Sequence, residues 1–202
     1  VIHLKTEREI NKIRCAGKIV AETLHLLERS IVPGMTTIEL DLLAERSIRQ
    51  AGAAPSFKGY DGYSNCICTS VNHQLAHGIP GPYELKDGDI ISIDIGARYE
   101  GFHADSAWTY PVGTISASAG RLLAATSEAL RHGIAEAVPG ARLTNVSHAI
   151  QQYAESCGFS VVQELTGHGV GTELHEDPEV PNYGAAGHGP VLEPEWSWPL
   201  NH

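Results

Sequence analysis

Positive charge is the first scarcity of this sequence. It sets 14 basic residues against 24 acidic ones, a formal charge of −10 with histidine neutral. That balance excludes a general nucleic-acid binder, for DNA above all, and no Lys/Arg cluster forms a local exception. Long apolar runs are missing too: none approaches the roughly 18 residues a membrane span needs, so no membrane partner is expected. Cysteine is sparse, at Cys15, Cys66, Cys68 and Cys157. Cys66-Ile-Cys68 lacks the two-residue spacer of zinc and redox motifs, so neither a zinc finger nor a disulfide frame is expected. Reduced thiols and a cytoplasmic location are the consistent reading. The opening V-I-H-L-K-T-E-R-E-I is too polar for a signal peptide. What remains is an ordinary soluble composition over 202 residues, which predicts a single domain across 1–202.

Periodicity supplies the elements. Thr6-Glu7-Arg8-Glu9 is a capping box, followed at helical spacing by Ile10, Ile13, Ala16, Val20, Leu24 and Leu27. Val32-Pro33-Gly34 stops that helix, and Thr36 with Glu39 opens a second, ending at Gly52. A loop over 53–63 leads to a predicted strand at Cys66 to Ser70. The pattern then recurs: a helix from Ala119, a Val138-Pro139-Gly140 stop, a helix from Thr144, and a predicted strand at Phe159 to Val162. Two such runs 106 residues apart point to an internal duplication around a shared sheet, although Pro-Gly after a helix is common in any protein. A duplication would set the best site where the halves meet.

Between the two runs lies the chemistry. Ile90 to Tyr110 reads as two strands around the turn-like Arg98-Tyr99-Glu100-Gly101. A turn centred between Tyr99 and Glu100 sets Asp94 opposite Asp105. Like charges directly opposed across a strand pair are destabilising, and a hard divalent cation between them is the simplest remedy. Two solvated carboxylates at a sheet edge are the plain alternative, and the hairpin alone does not decide.

Histidine is plentiful, at 11. His168 lies in G-H-G-V-G, where glycines let a backbone approach closely and leave the imidazole unobstructed. His175 follows in L-H-E-D-P; a bend at Gly169 or Gly171 is needed for both rings to face one site. His77, in A-H-G-I-P, taken alone reads as an exposed loop residue. His103 shares a strand face with Asp105, and a surface or supporting role suits it better than ligation. Two aspartates and an imidazole fit manganese, iron, cobalt or zinc better than magnesium or calcium.

In order along the chain, K-T-E-R-E-I, Cys68-Thr69-Ser70-Val71-Asn72 with A-H-G-I-P, L-K-D-G-D-I-I-S-I-D, G-F-H-A-D, and G-H-G-V-G with H-E-D-P resemble the type I methionine aminopeptidases. The resemblance covers Ile2 to Pro194. It implies the α/β (α+β) pita-bread fold, two related halves around a shared antiparallel sheet, and removal of the initiator methionine by water activated between two divalent ions (Co, Mn, Fe or Zn). Asp94 and Asp105 become ligands, Asp105 bridging, with His168 on one metal. His77 and His175 match the two substrate-contacting, catalytic histidines, and Tyr60, Tyr63 and Cys68 match the methionine pocket. The implied partners are the N-termini of proteins and peptides, met at the ribosome by a monomer. No room is seen before Thr6 for the zinc-finger extension of some relatives, or for the extra domain usual in the Xaa-Pro peptidases of the same fold. A non-catalytic pita-bread module that binds peptides is the rival of another class.

The pattern also departs. The resemblance calls for five ligands; Asp94, Asp105 and His168 are three. The other two are glutamates, one in an I-E-P segment, but after Pro194 the chain reads E-W-S-W-P-L-N-H. If Ser197 uses a TCN codon, then with permitted codons for the rest, restoring one G to the DNA converts those residues to G-M-V-L-A-I-E-P. The tail over 195–202 is therefore expected to be out of frame, the alternative being a natural divergent terminus. A chain ending at His202 would lack the last strands of the sheet, with near-zero aminopeptidase activity and poor solubility expected. Sequencing the DNA across codons 194 to 202 tests this: codons that fit the shifted reading are expected, and incompatible ones overturn it.

Overall fold

The computed structural model describes residues 1–194, so the expected out-of-frame tail over 195–202 lies outside the described residues. Helix α1 (Glu7–Ser30) begins at its capping box, with Glu9 Oε2 accepting from Thr6 N–H at 2.8 Å. Helix α2 (Thr37–Gln50) repeats the device with Thr36 and Glu39. The apolar stripes of both helices, among them Val20, Leu24, Leu40 and Ile48, are buried.

They cover one face of a four-stranded sheet built on β3 (Ile90–Tyr99). Along one edge of β3 runs β4 (Phe102–Pro111); along the other, end to end, lie β1 (Ala54–Pro55) and β2 (Ile67–Val71). Ile91, Ile93, Ile95 and Ala97 are wholly buried in this first core. With a period of two, Ser92 and Asp94 point to the opposite face.

The β3–β4 register differs from the expected one. Tyr99 opposes Phe102, so Asp94 lies across from Ala107 and Asp105 across from Gly96. The loop residues are Glu100 and Gly101, both at positive φ (46° and 89°), as a two-residue turn of the primed kind demands. Glycine thus takes the second loop position. The pairing moves by an even step, so both aspartates stay on one face and meet diagonally.

Helices α3 (Ala117–Glu136) and α4 (Leu143–Ser156) pack on each other and enclose a second core of Ala129, Val146, Ile150, Val180 and Leu192. The approach is close at Gly133, where a Cβ would stand 2.7 Å from Ile150 Cγ1. Strands β5 (Thr166–Gly169) and β6 (Glu176–Pro181) pair beside them. Phe159 to Val162, expected as a strand, is not one. Extended backbone needs a neighbour to satisfy its N–H and C=O groups, and no described strand pairs with this segment.

The duplication is written in hydrogen bonds. Gly34 N–H donates to Leu85 O at 2.7 Å, and Gly140 N–H to Leu192 O at 2.9 Å. Leu85 N–H returns to Met35 O, as Leu192 N–H does to Ala141 O, at 2.9 and 2.8 Å. The bridge Thr36–Glu84 recurs as Arg142–Val191. In each half, residues before the second helix clip the same downstream segment.

Glu45 ties α2 to the loop that follows it, accepting from Lys58 Nζ at 2.8 Å and from Arg49 Nε at 2.9 Å. Lys58 first, then Arg49, lowers its carboxyl from 4.5 to about 2. A depressed carboxylate stabilises the fold above its unfolded value and loses that contribution as pH falls from 4.5 towards 2. Glu45→Gln should therefore cost up to about 1 kcal/mol at pH 7, solvent screening included. Urea midpoints of the two proteins should converge as the pH is lowered through that window.

Candidate active site

On the sheet face away from α1 and α2, Cys68 stands directly across from Asp94. Burial first, and the charge of the neighbouring Asp105 second, push the Asp94 carboxyl well above the usual range. The Asp105 side chain is only 4% exposed, and its Oδ2 lies 3.5 Å from His168 Nε2. Both Oδ1 atoms are buried without a hydrogen-bond partner.

His168, on β5, commits Nδ1 to Gly169 O at 2.9 Å, which leaves Nε2 towards Asp105. Burial works to lower its pKa, but the bonds to Asp105 and Gly169 outweigh it and the value is raised. The chain then bends, as Gly169 and Gly171 allow, and brings His175 back against His168 with ring centroids 4.2 Å apart. His175 Nδ1 meets Tyr60 Oη at 2.8 Å. Burial, then the neighbouring His168, lowers the His175 pKa, so its ring is neutral at neutral pH.

Beside these rings Phe57, Cys68 and Leu174 form a buried apolar cluster, with Tyr63 packed against it. Burial pushes the Cys68 thiol up to about 11 and raises the Tyr63 phenol as well. The cluster is uncharged. Tyr63 Oη donates to Ile67 O at 2.9 Å and so has its own partner.

His77 is exposed, as its loop setting suggested. It and Ala76 hold positive φ, 52° and 36°, an uncommon conformation for residues with a Cβ. The loop is stitched to β2 by Thr69 N–H on Gly78 O at 2.7 Å and Gly78 N–H on Ser70 Oγ at 3.2 Å. His103 departs from a surface role. It is buried, its Nδ1 on Ser56 Oγ at 2.9 Å, and its N–H donates to Gly171 O at 2.7 Å, a bond that joins the two halves.

Tyr60, Tyr63, Cys68, Asp94, Asp105, His168 and His175 are thus gathered at one seam. Phe57 and Leu174 were missed. Leu174 precedes His175 and was open to inspection, whereas Phe57 sits in a loop with no periodic signal. As they stand, the described residues hold no group of three His, Cys, Asp or Glu side chains close enough to grip a metal ion. The interactions are pairwise, Asp94 with the charge of Asp105 and Asp105 with His168. The donors nevertheless fit such an ion: two orphaned buried oxygens, and an imidazole whose other nitrogen is already fixed by a carbonyl.

Comparison with known proteins defines the class. Metallopeptidase family M24 matches residues 11–196, and the chain belongs to that family. Membership implies divalent metal ions as cofactors. Within the family the chain is similar to methionine aminopeptidase 1 of Bacillus subtilis, 58% identical over 194 residues, 96% of this chain and 78% of that protein. It is similar also to the methionine aminopeptidase of Clostridium perfringens, at 54% over 95% of this chain and 77% of that one. The crystal structure of the Thermotoga maritima methionine aminopeptidase superposes with a TM-score of 0.95 at 44% identity, over 97% of this chain and 79% of that chain. The prolidase of Pyrococcus furiosus shares the fold alone, with a TM-score of 0.83 at 24% identity over 96% of this chain and 55% of that one. No helix among the described residues is long and apolar enough to cross a membrane.

A Cβ on Gly78 would lie 2.1 Å from Thr69 O, a backbone atom that cannot step aside. Gly78→Ala should part the His77 loop from β2 and cost about 1–3 kcal/mol, the usual range for overpacking. Urea unfolding measures the loss, and faster amide exchange at Thr69 locates it.

Proposed function

We propose that this chain is a metal-dependent aminopeptidase that removes N-terminal methionine from proteins and peptides. One observation carries the reading: a neutral apolar cluster of Phe57, Tyr63, Cys68 and Leu174, the proposed lining of a side-chain slot, abuts buried, partnerless carboxylate oxygens and a pair of histidines. Asp94, Asp105 and His168 would be three of the ligands to two divalent ions, manganese, iron, cobalt or zinc by their donor chemistry. Bound there, such ions polarise a carbonyl and lower the pKa of water.

The protein's own groups do the rest. The slot takes the thioether side chain without a charge to repel it. The acidic floor attracts the free amino terminus. With Tyr60 Oη–H donating to Nδ1, the His175 ring carries its proton on Nε2 and can give a hydrogen bond to the developing oxyanion. His77 is the contact for the peptide nitrogen. The two glutamate ligands that the resemblance also calls for have no counterpart among the described residues, so the described set is three. Under the same reading the chain acts as a monomeric catalytic unit in the cytoplasm, on nascent N-termini at the ribosome.

The relatives named methionine aminopeptidase favour this substrate over Xaa-Pro bonds, since the prolidase likeness rests at 24% identity. The test is methionine release from Met-Ala-Ser with manganese, cobalt, iron or zinc. It is run on these 202 residues and on a chain reading G-M-V-L-A-I-E-P at 195–202 and extended to the length of the relatives. Metal-dependent release by the second chain, lost in Asp94→Asn and His168→Ala, is the expected result; no release with any of the four metals overturns the reading. In the active chain His175→Ala should lower kcat by about 10²–10³ with little change in KM.

A further inference from the structure

The loop that carries Leu174 and His175 has no core of its own, and polar bonds fix its shape. Gly171 O accepts from His103 N–H at 2.7 Å, and Gly171 N–H donates to Glu173 O at 3.1 Å. The Glu176 carboxylate closes the turn, Oε1 accepting from Glu173 N–H at 3.2 Å and from Thr172 Oγ at 3.4 Å. Gly171 is required beneath it, because a Cβ there would stand 2.2 Å from that same oxygen.

The other oxygen, Oε2, accepts from Lys5 Nζ at 2.6 Å, with both side chains more than nine-tenths buried. Lys5 also donates to His3 O at 2.7 Å, and it immediately precedes Thr6, the N-cap of α1. Helix α1 in turn packs on β3 and β4, the strands that carry Asp94 and Asp105. One ion pair thus fixes the His175 loop against the frame that bears the acids. Burying an ion pair costs desolvation that apolar residues of equal volume would avoid, so its return lies in geometry rather than in stability.

We propose that Lys5, acting through Glu176, is a positioning residue that sets where His175 and Leu174 stand relative to the acidic pair. The proposal rests on the aminopeptidase reading for its purpose. The link from Lys5 to His175 is measured without metal or turnover, so failure of either is told apart from failure of the other.

The variants are Lys5→Met, Lys5→Arg and Glu176→Gln, the last keeping acceptors for the turn's own bonds if Lys5→Met does not fold. Two readouts apply at one fixed pH: the imidazole nitrogen resonances of His175, and amide exchange at Gly171 and His103. In Lys5→Met and Glu176→Gln the His175 resonances should shift as the Tyr60 bond is lost. The loop amides should exchange roughly tenfold faster or more, a local opening that leaves α1 and β3 protected. His148, on α4 and bonded to Gly184 O, should not move. Lys5→Arg should restore both readouts. Unshifted His175 resonances, faster exchange spread evenly over α1 and β3, or no rescue by arginine would each overturn the proposal.

Discussion

Asp94 and Asp105 occupy diagonal positions on one sheet face, and at that distance their carboxyls cannot both be ionised cheaply. Burial and the second charge hold Asp94 towards its protonated form. One oxygen on each is still left with nothing to bond. Groups in that state are costly unless something positive or hydrogen-bonding is supplied. The rest of the site is arranged around this demand. His168 approaches with its ring nitrogen already oriented, and Cys68 across the ladder stays a neutral thiol that adds no third charge.

The seam between the halves explains why these groups meet. Each half encloses its own apolar core behind a pair of helices, so no side chain is shared between the two interiors. Contact is made instead by polar links: His103 to Gly171, Asp105 to His168, Tyr60 to His175, and Lys5 to Glu176. A seam made of hydrogen bonds keeps donors and acceptors facing one another where a ligand can use them. Leu174 is the exception, reaching across to Phe57 and Cys68 and giving the seam the apolar cluster proposed to line the slot.

What the sequence disclosed follows the range of each interaction. Helices were legible because their signals are local: Thr6 with Glu9 and Thr36 with Glu39 are caps readable within one turn, and both formed. The diagonal meeting of Asp94 and Asp105 was not, because it hangs on which two residues form the hairpin loop. Placing Gly101 at the second loop position, where a left-handed conformation is needed, would have given the register. Phe159 to Val162 carried strand-forming residues but no partner, and composition cannot see a missing neighbour. His103 looked like any strand histidine until Ser56 and Gly171 arrived from 47 and 68 residues away.

Selectivity in the proposed reaction divides between two unlike surfaces. An apolar slot separates side chains that differ by a methylene by only about 1–3 kcal/mol, so Phe57, Cys68 and Leu174 alone could not refuse a norleucine or leucine strongly. The acidic floor imposes a different condition, since burying a carboxylate beside an amide in place of an ammonium leaves a charge unpaired. The free amino terminus is therefore the stricter requirement and the side chain the looser one. That ordering needs the two surfaces held at a fixed spacing. The slot's Leu174 and the histidine beside it ride on one short loop, whereas the acids ride on the central hairpin. Their spacing is set by whatever ties loop to hairpin, which in this chain is a backbone bond from His103 and a buried lysine–glutamate pair.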